Sequence, residues 1–74
     1  IPMHKLTAYI QIDPDSGMYF GIVPGIPGAY TQAETLEELR SNLRDVLELC
    51  LEEEPELLGE LPEFVGMEEI EVAL

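Results

Sequence analysis

A chain of 74 residues with a net charge of −13 is too short for more than one domain. It is also too acidic to hold a phosphate backbone, because only Lys5, Arg40 and Arg44 are positive. Its apolar content of 46% is that of a globular domain and excludes the disordered class.

A domain of this size buries only about 60% of the surface that its unfolded chain exposes, so self-association or a partner would add needed burial. The acidity repels nucleic acid and anionic membranes and attracts basic proteins. Solubility, or adaptation to salt or heat, accounts for it equally well. Cys50 is the only cysteine, which rules out an internal disulfide or a multi-cysteine metal site and points to a reducing compartment. No apolar run reaches the length of a membrane span or a secretory h-region, so the expectation is a soluble cytoplasmic protein.

Ile1, Pro2 and Met3 form a loose start. From Lys5 to Ile12 the residues alternate as in a strand, with Leu6, Ala8, Ile10 and Ile12 on one face. Asp13-Pro14-Asp15-Ser16-Gly17 is dense in turn formers, and Met18 to Val23 resumes the strand pattern, which predicts a hairpin. Placing Ile12 opposite Met18 sets Ile10 opposite Phe20 and Ala8 opposite Ile22 on the core side. Tyr9, Tyr19 and Val23 then fall on the outer face, where a plain solvated sheet would carry polar residues.

Val23 to Glu38 is where the period changes from two to three or four. Pro24 and Pro27 fix φ, and Gly25 and Gly28 allow backbone angles that other residues avoid, so Pro24 to Gly28 is a rigid, sharply bent connection. A third strand spans 29–34, with small Ala29, Thr31 and Ala33 under a helix and Tyr30 and Gln32 outward. Thr35 and Glu38 have the spacing of a capping box.

The predicted helix runs from Leu36 to Glu53. Leu36, Leu39, Leu43, Val46, Leu47, Cys50 and Leu51 make its apolar stripe, which marks Cys50 as a small core residue. Glu52, Glu53 and Glu54 crowd its C-terminal end against the macrodipole, and Pro55 stops it. Leu57, Leu58, Leu61 and Phe64 follow as a loop capping the core edge, and Met67 to Leu74 alternates again as a fourth strand. The expected fold is therefore α+β, β-β-β-α-β. A right-handed crossover would give a four-stranded sheet in order 3-2-1-4 with one helix on one face.

The run Pro24-Gly25-Ile26-Pro27-Gly28, followed by Thr31-Gln32-Ala33-Glu34-Thr35-Leu36-Glu37-Glu38 and a Leu-rich helix, resembles the HicB-like antitoxin family. There a V-P-x-L-P-G-C-x-[ST]-Q-G-x-[ST]-x-E-E-A run joins a β-hairpin to a helix. Ile26 replaces the usual Leu, Ala29 the frequent Cys, and Leu39 stands where Ala is common. The resemblance implies a fold like the first half of a ribonuclease H domain, no cofactor, and a small basic HicA-like mRNA-cleaving toxin as partner. With the chain ending at Leu74, it also implies no ribbon-helix-helix or helix-turn-helix segment and hence no operator binding by this chain alone.

On that reading Glu37, Glu48, Glu52 and Glu53 steer the toxin, and the turn carrying Pro24 and Pro27 supplies shape. Tyr9, Tyr19 and Tyr30, with Gln32, form a patch for a homodimer or higher homo-oligomer, tyrosine being favoured at interfaces; strand propensity alone is the competing account. An orphan oligomer without a toxin is a further alternative.

The ribonuclease H likeness raises a second class, a metal-dependent nuclease using Asp13, Glu48 and Glu69 or Glu71. Asp13 lies in a turn, however, half of that fold is missing, and a nuclease needs positive surface. His4, the lone histidine, has no serine or cysteine that the sequence places beside it, and Gly25 and Gly28 lack the Lys-Ser or Lys-Thr of a phosphate cradle. The expectation is a non-enzymatic binding protein.

Overall fold

A computed structural model describes residues 3–74, so the start expected at Ile1 and Pro2 lies outside the described residues. Three strands, β1 (Tyr9–Ile12), β2 (Tyr19–Ile22) and β3 (Tyr30–Ala33), precede a single α-helix, α1 (Leu36–Glu53), and a 3₁₀ helix over Pro55–Gly59. The helix matches the span read from the leucine periodicity. The strands are each shorter than their alternating runs.

The turn between β1 and β2 decides the register. Asp13 N–H donates to the Met18 carbonyl at 2.9 Å, and Gly17 N–H to the Asp13 carbonyl at 2.8 Å, so Asp13 and Met18 close the hairpin. Ile12 is therefore opposite Tyr19, Ile10 opposite Gly21 and Tyr9 opposite Ile22. The expected pairing of Ile12 with Met18 is off by one residue, and a one-residue slip turns every side chain of a strand to the other face. In β2 it is Tyr19, Gly21 and the following Val23 that face α1, while Phe20 and Ile22 face away.

Gly21 allows the helix to approach. A Cβ there would sit 2.8 Å from Leu43 Cδ1 and 3.3 Å from Leu39 Cδ2. Leu39, with no exposed surface, packs with Leu43 and Ala33, and half-buried Tyr19 and Ala8 lie against them. A second cluster gathers Val23, Ile26 and Ala29 with Leu6, Leu47, Cys50, Leu51, Leu57 and Leu61. Ile26 reaches this cluster because the proline segment is two tight bends. Pro27 and Gly28, the latter at φ +84°, occupy the central positions of a turn closed by Ala29 N–H donating to the Ile26 carbonyl at 3.1 Å, the pattern of a type II turn.

Thr35 caps α1 by accepting the Glu38 N–H at its Oγ1, 3.1 Å away. The reciprocal bond of a full capping box is not among the bonds formed there.

The expected four-stranded order 3-2-1-4 is overturned. The sheet is three-stranded, β1-β2-β3, with both pairings antiparallel, and Met67–Leu74 forms no strand. The cause lies in the placement of α1, which packs on β3 and β2 and leaves β1 untouched. A fourth strand beside β1 would have no helix over its inner side, so pairing within one chain would bring Ile70, Val72 and Leu74 little burial beyond the exposed state they already have.

Candidate functional site: an uncharged sheet face

The register collects one set of side chains on the face away from α1: Tyr9 and Gln11 from β1, Phe20 and Ile22 from β2, and Tyr30 and Gln32 from β3. All six are exposed. Tyr9, Phe20, Ile22 and Tyr30 keep between 37% and 57% of their surface in water. Phe20 and Tyr30 lie on adjacent strands with ring centroids 6.3 Å apart, and Tyr9 meets Phe64 of the C-terminal segment edge-on at 6.0 Å. On a molecule of net charge −13, six neighbouring positions without a charge make a distinct uncharged patch, the kind of surface that marks interaction sites in general.

Of the residues proposed from sequence, Tyr9, Tyr30 and Gln32 are on this face. Tyr19 is not. Directly opposite Ala33, it packs on the Leu39 and Leu43 cluster beneath α1, as the corrected register requires. Gln11 lies here as the alternation along β1 requires, whereas sequence reasoning missed Phe20 and Ile22, and the signal that finds those two is the turn itself. Asp13 accepts Asp15 N–H at Oδ1 (3.0 Å) and Ser16 Oγ–H at Oδ2 (3.1 Å), which commits Asp13 to the turn and removes it from β1.

Pro24 and Pro27 are exposed at one end of the sheet. Pro24 borders a shallow cleft of about 220 Å³ whose other walls include Lys5, Tyr9, Pro62 and Phe64. Glu37, Glu48, Glu52 and Glu53 are exposed along α1, in the other layer from Tyr9 and Tyr30. The structure thus separates the tyrosine set from the glutamate set and places them on opposite sides of a two-layer molecule.

The carboxylates considered for metal chemistry are not brought together. Asp13 is engaged in its turn, Glu48 is on α1, and Glu69 and Glu71 are in the segment that joins no sheet. Among the described residues no group of three or more His, Cys, Asp or Glu is arranged to hold a metal ion. Among the same residues no helix is long and apolar enough to cross a membrane.

The family model described as UPF0150-like matches residues 3–54, which covers β1 to the end of α1. The chain belongs to the UPF0150-like family. A UPF0150 protein of Thermotoga maritima is 50% identical over 66 residues, covering 89% of this chain and 87% of that protein. One from Synechocystis is 42% identical over 71 residues, covering 95% of this chain and 100% of its own length. One from Archaeoglobus fulgidus is 38% identical over 68 residues, covering 92% and 94%. No solved structure shows a significant match to the chain. The residues of this UPF0150-like domain that build the open face, Tyr9 to Gln32, all lie within the family match.

Proposed function

We propose that this UPF0150-like domain is a non-enzymatic binding protein of the HicB-like antitoxin kind, a cytoplasmic homo-oligomer that covers the RNA-binding surface of a small basic HicA-like ribonuclease. The observation that carries this reading is an uncharged aromatic face on one layer of a molecule whose other layer is lined with acids. On this reading each layer has one task. Tyr9, Phe20, Ile22 and Tyr30 join copies of the chain, and rigid amphipathic rings of this kind dominate interface energetics. Glu37, Glu48, Glu52 and Glu53 stay in water, where their field steers a basic partner toward the helix side. The domain needs no cofactor for this and does not itself hold nucleic acid, since three cations against sixteen acids cannot neutralise a phosphate backbone.

Capture from native cell extract at low salt, followed by mass spectrometry and an RNA-cleavage assay, tests the reading. The expected catch is a small basic protein whose cleavage of RNA stops when this chain is added. Raising ionic strength from 0.1 M to 1 M shortens the Debye length from about 10 Å to about 3 Å, so capture weakens. The same change strengthens contact between two copies that each carry −13, a response of opposite sign in one experiment. Mg²⁺-dependent RNA cleavage by the purified chain alone would overturn the reading.

A further inference from the structure

A strip of apolar surface on the helix side of the sheet is bare. Because α1 covers β3 and β2 only, Ile10 and Ile12 of β1 face its layer but remain 42% and 54% exposed. Among the described residues no strand pairs with the outer edge of β1, so its free backbone groups are open to another strand. The other sheet edge differs: the inner face of β3 lies under α1, with Ala33 buried.

The matching element is on the same chain and is unused. Residues 65–74 leave the body in irregular, fully exposed conformation, with Ile70 and Val72 75% and 73% exposed. The molecule consequently measures 47 × 27 × 18 Å, and its radius of gyration of 14.2 Å exceeds the value of about 11 Å expected for a compact domain of this length. Ile70, Val72 and Leu74 recur at the spacing of one strand face, with Glu69 and Glu71 on the other. From Phe64, held against Tyr9, the ten residues to Leu74 reach about 33 Å when extended, enough to cross onto a second molecule. Charge fits as well. No acid occurs before Asp13, and the edge strand is preceded by Lys5, whereas the tail carries Glu68, Glu69 and Glu71.

We infer that Met67–Leu74 of one copy adds as a strand to the β1 edge of a second copy, reciprocally, with Ile70, Val72 and Leu74 lying beside Ile10 and Ile12. Within one chain no helix lies over that strip, whereas a second copy brings an identical strip, and two-fold exchange places the two against each other. At least one relative has residues corresponding to the segment. The Synechocystis protein matches 95% of this chain, which leaves about four of the 74 residues outside the match and carries it into the tail. This association uses the β1 edge and, apart from Tyr9 where Phe64 rests, none of the aromatic face proposed above.

An equimolar mixture of ¹³C-labelled and unlabelled full-length chain, studied by isotope-filtered NMR, tests it. Nuclear Overhauser contacts between the Ile70, Val72 or Leu74 methyls of one chain and the Ile10 or Ile12 methyls of the other are expected. They persist in the Phe20→Lys, Tyr30→Lys double variant, which disables the aromatic face on β2 and β3 and keeps the Tyr9 contact with Phe64. By sedimentation equilibrium, Ile70→Asp combined with Val72→Asp lowers the assembly mass at least twofold with the circular dichroism of α1 unchanged. Contacts found only within one chain, no contacts at all, or an unchanged mass in the Asp variant would each overturn the inference.

Discussion

Gly25 shows how one residue ties the proline turn to the rest of the molecule. Its φ of +91° lies in the left-handed region, and a Cβ built there would meet Pro62 Cδ at 2.5 Å and Leu61 Cδ2 at 3.4 Å. Gly28, in the same turn at φ +84°, has nothing within 4 Å of such a Cβ. Both positions exact the backbone penalty for an L-residue, about 1–2 kcal/mol. Only Gly25 adds a collision with the chain segment that follows α1. Gly25→Ala is therefore expected to lower stability by more than Gly28→Ala, with the latter near the backbone value, as read from urea unfolding midpoints. Equal losses would show that the contact with Pro62 contributes nothing. The glycines and prolines of this turn were legible in sequence as a rigid bend. Burial of Ile26 was not, because a lone aliphatic between two Pro-Gly pairs has no periodicity to report the side on which it lands.

At the scale of elements, α1 was legible to the residue. A leucine stripe between a threonine cap and a proline leaves few alternatives. Strand positions were legible, and so were the faces of β1 and β3; the faces of β2 were not. Alternating apolar residues in both β1 and β2 satisfy two registers, and only the hydrogen bonds of the Asp13 to Met18 turn choose between them. The missing fourth strand has a different origin. Its alternation is present in the sequence, but pairing requires a covered edge, and the position of α1 over β2 and β3 is a tertiary fact that alternation does not encode. The corrected register changes the test of the aromatic face. Tyr9→Lys combined with Tyr30→Lys places two charges on that face and is expected to weaken self-association by tenfold or more in sedimentation, consistent with loss of one or two hot-spot contacts. Tyr19→Lys, by contrast, places a charge beneath α1 and is expected to unfold the domain, seen as loss of its circular dichroism. A Tyr9, Tyr30 variant that associates as the parent does would remove the face from the interface.

For the whole molecule, the two-layer arrangement accounts for acidity without cost to the core. No charged side chain is buried among the described residues, so the sixteen acids act through their summed field and not through internal ion pairs. What the sequence could state at this scale was the sign of charge that the proposed partner would carry. Where it docks depends on which faces are left uncovered, and that emerges only once the sheet has three strands and α1 sits off-centre on it.

The order β1-β2-β3 also bears on how quickly the domain forms. Every strand pairs with its neighbour in sequence across a connection of a few residues, 13–18 and then 23–29, and α1 follows directly on β3. No long loop must close before pairing begins, as a crossover to a fourth strand would have demanded. Refolding from urea in a stopped-flow mixer is accordingly expected to have a main single-exponential phase on the order of milliseconds or faster, independent of protein concentration. A main phase that speeds up with concentration would mean that the chain cannot close its core until a second copy arrives.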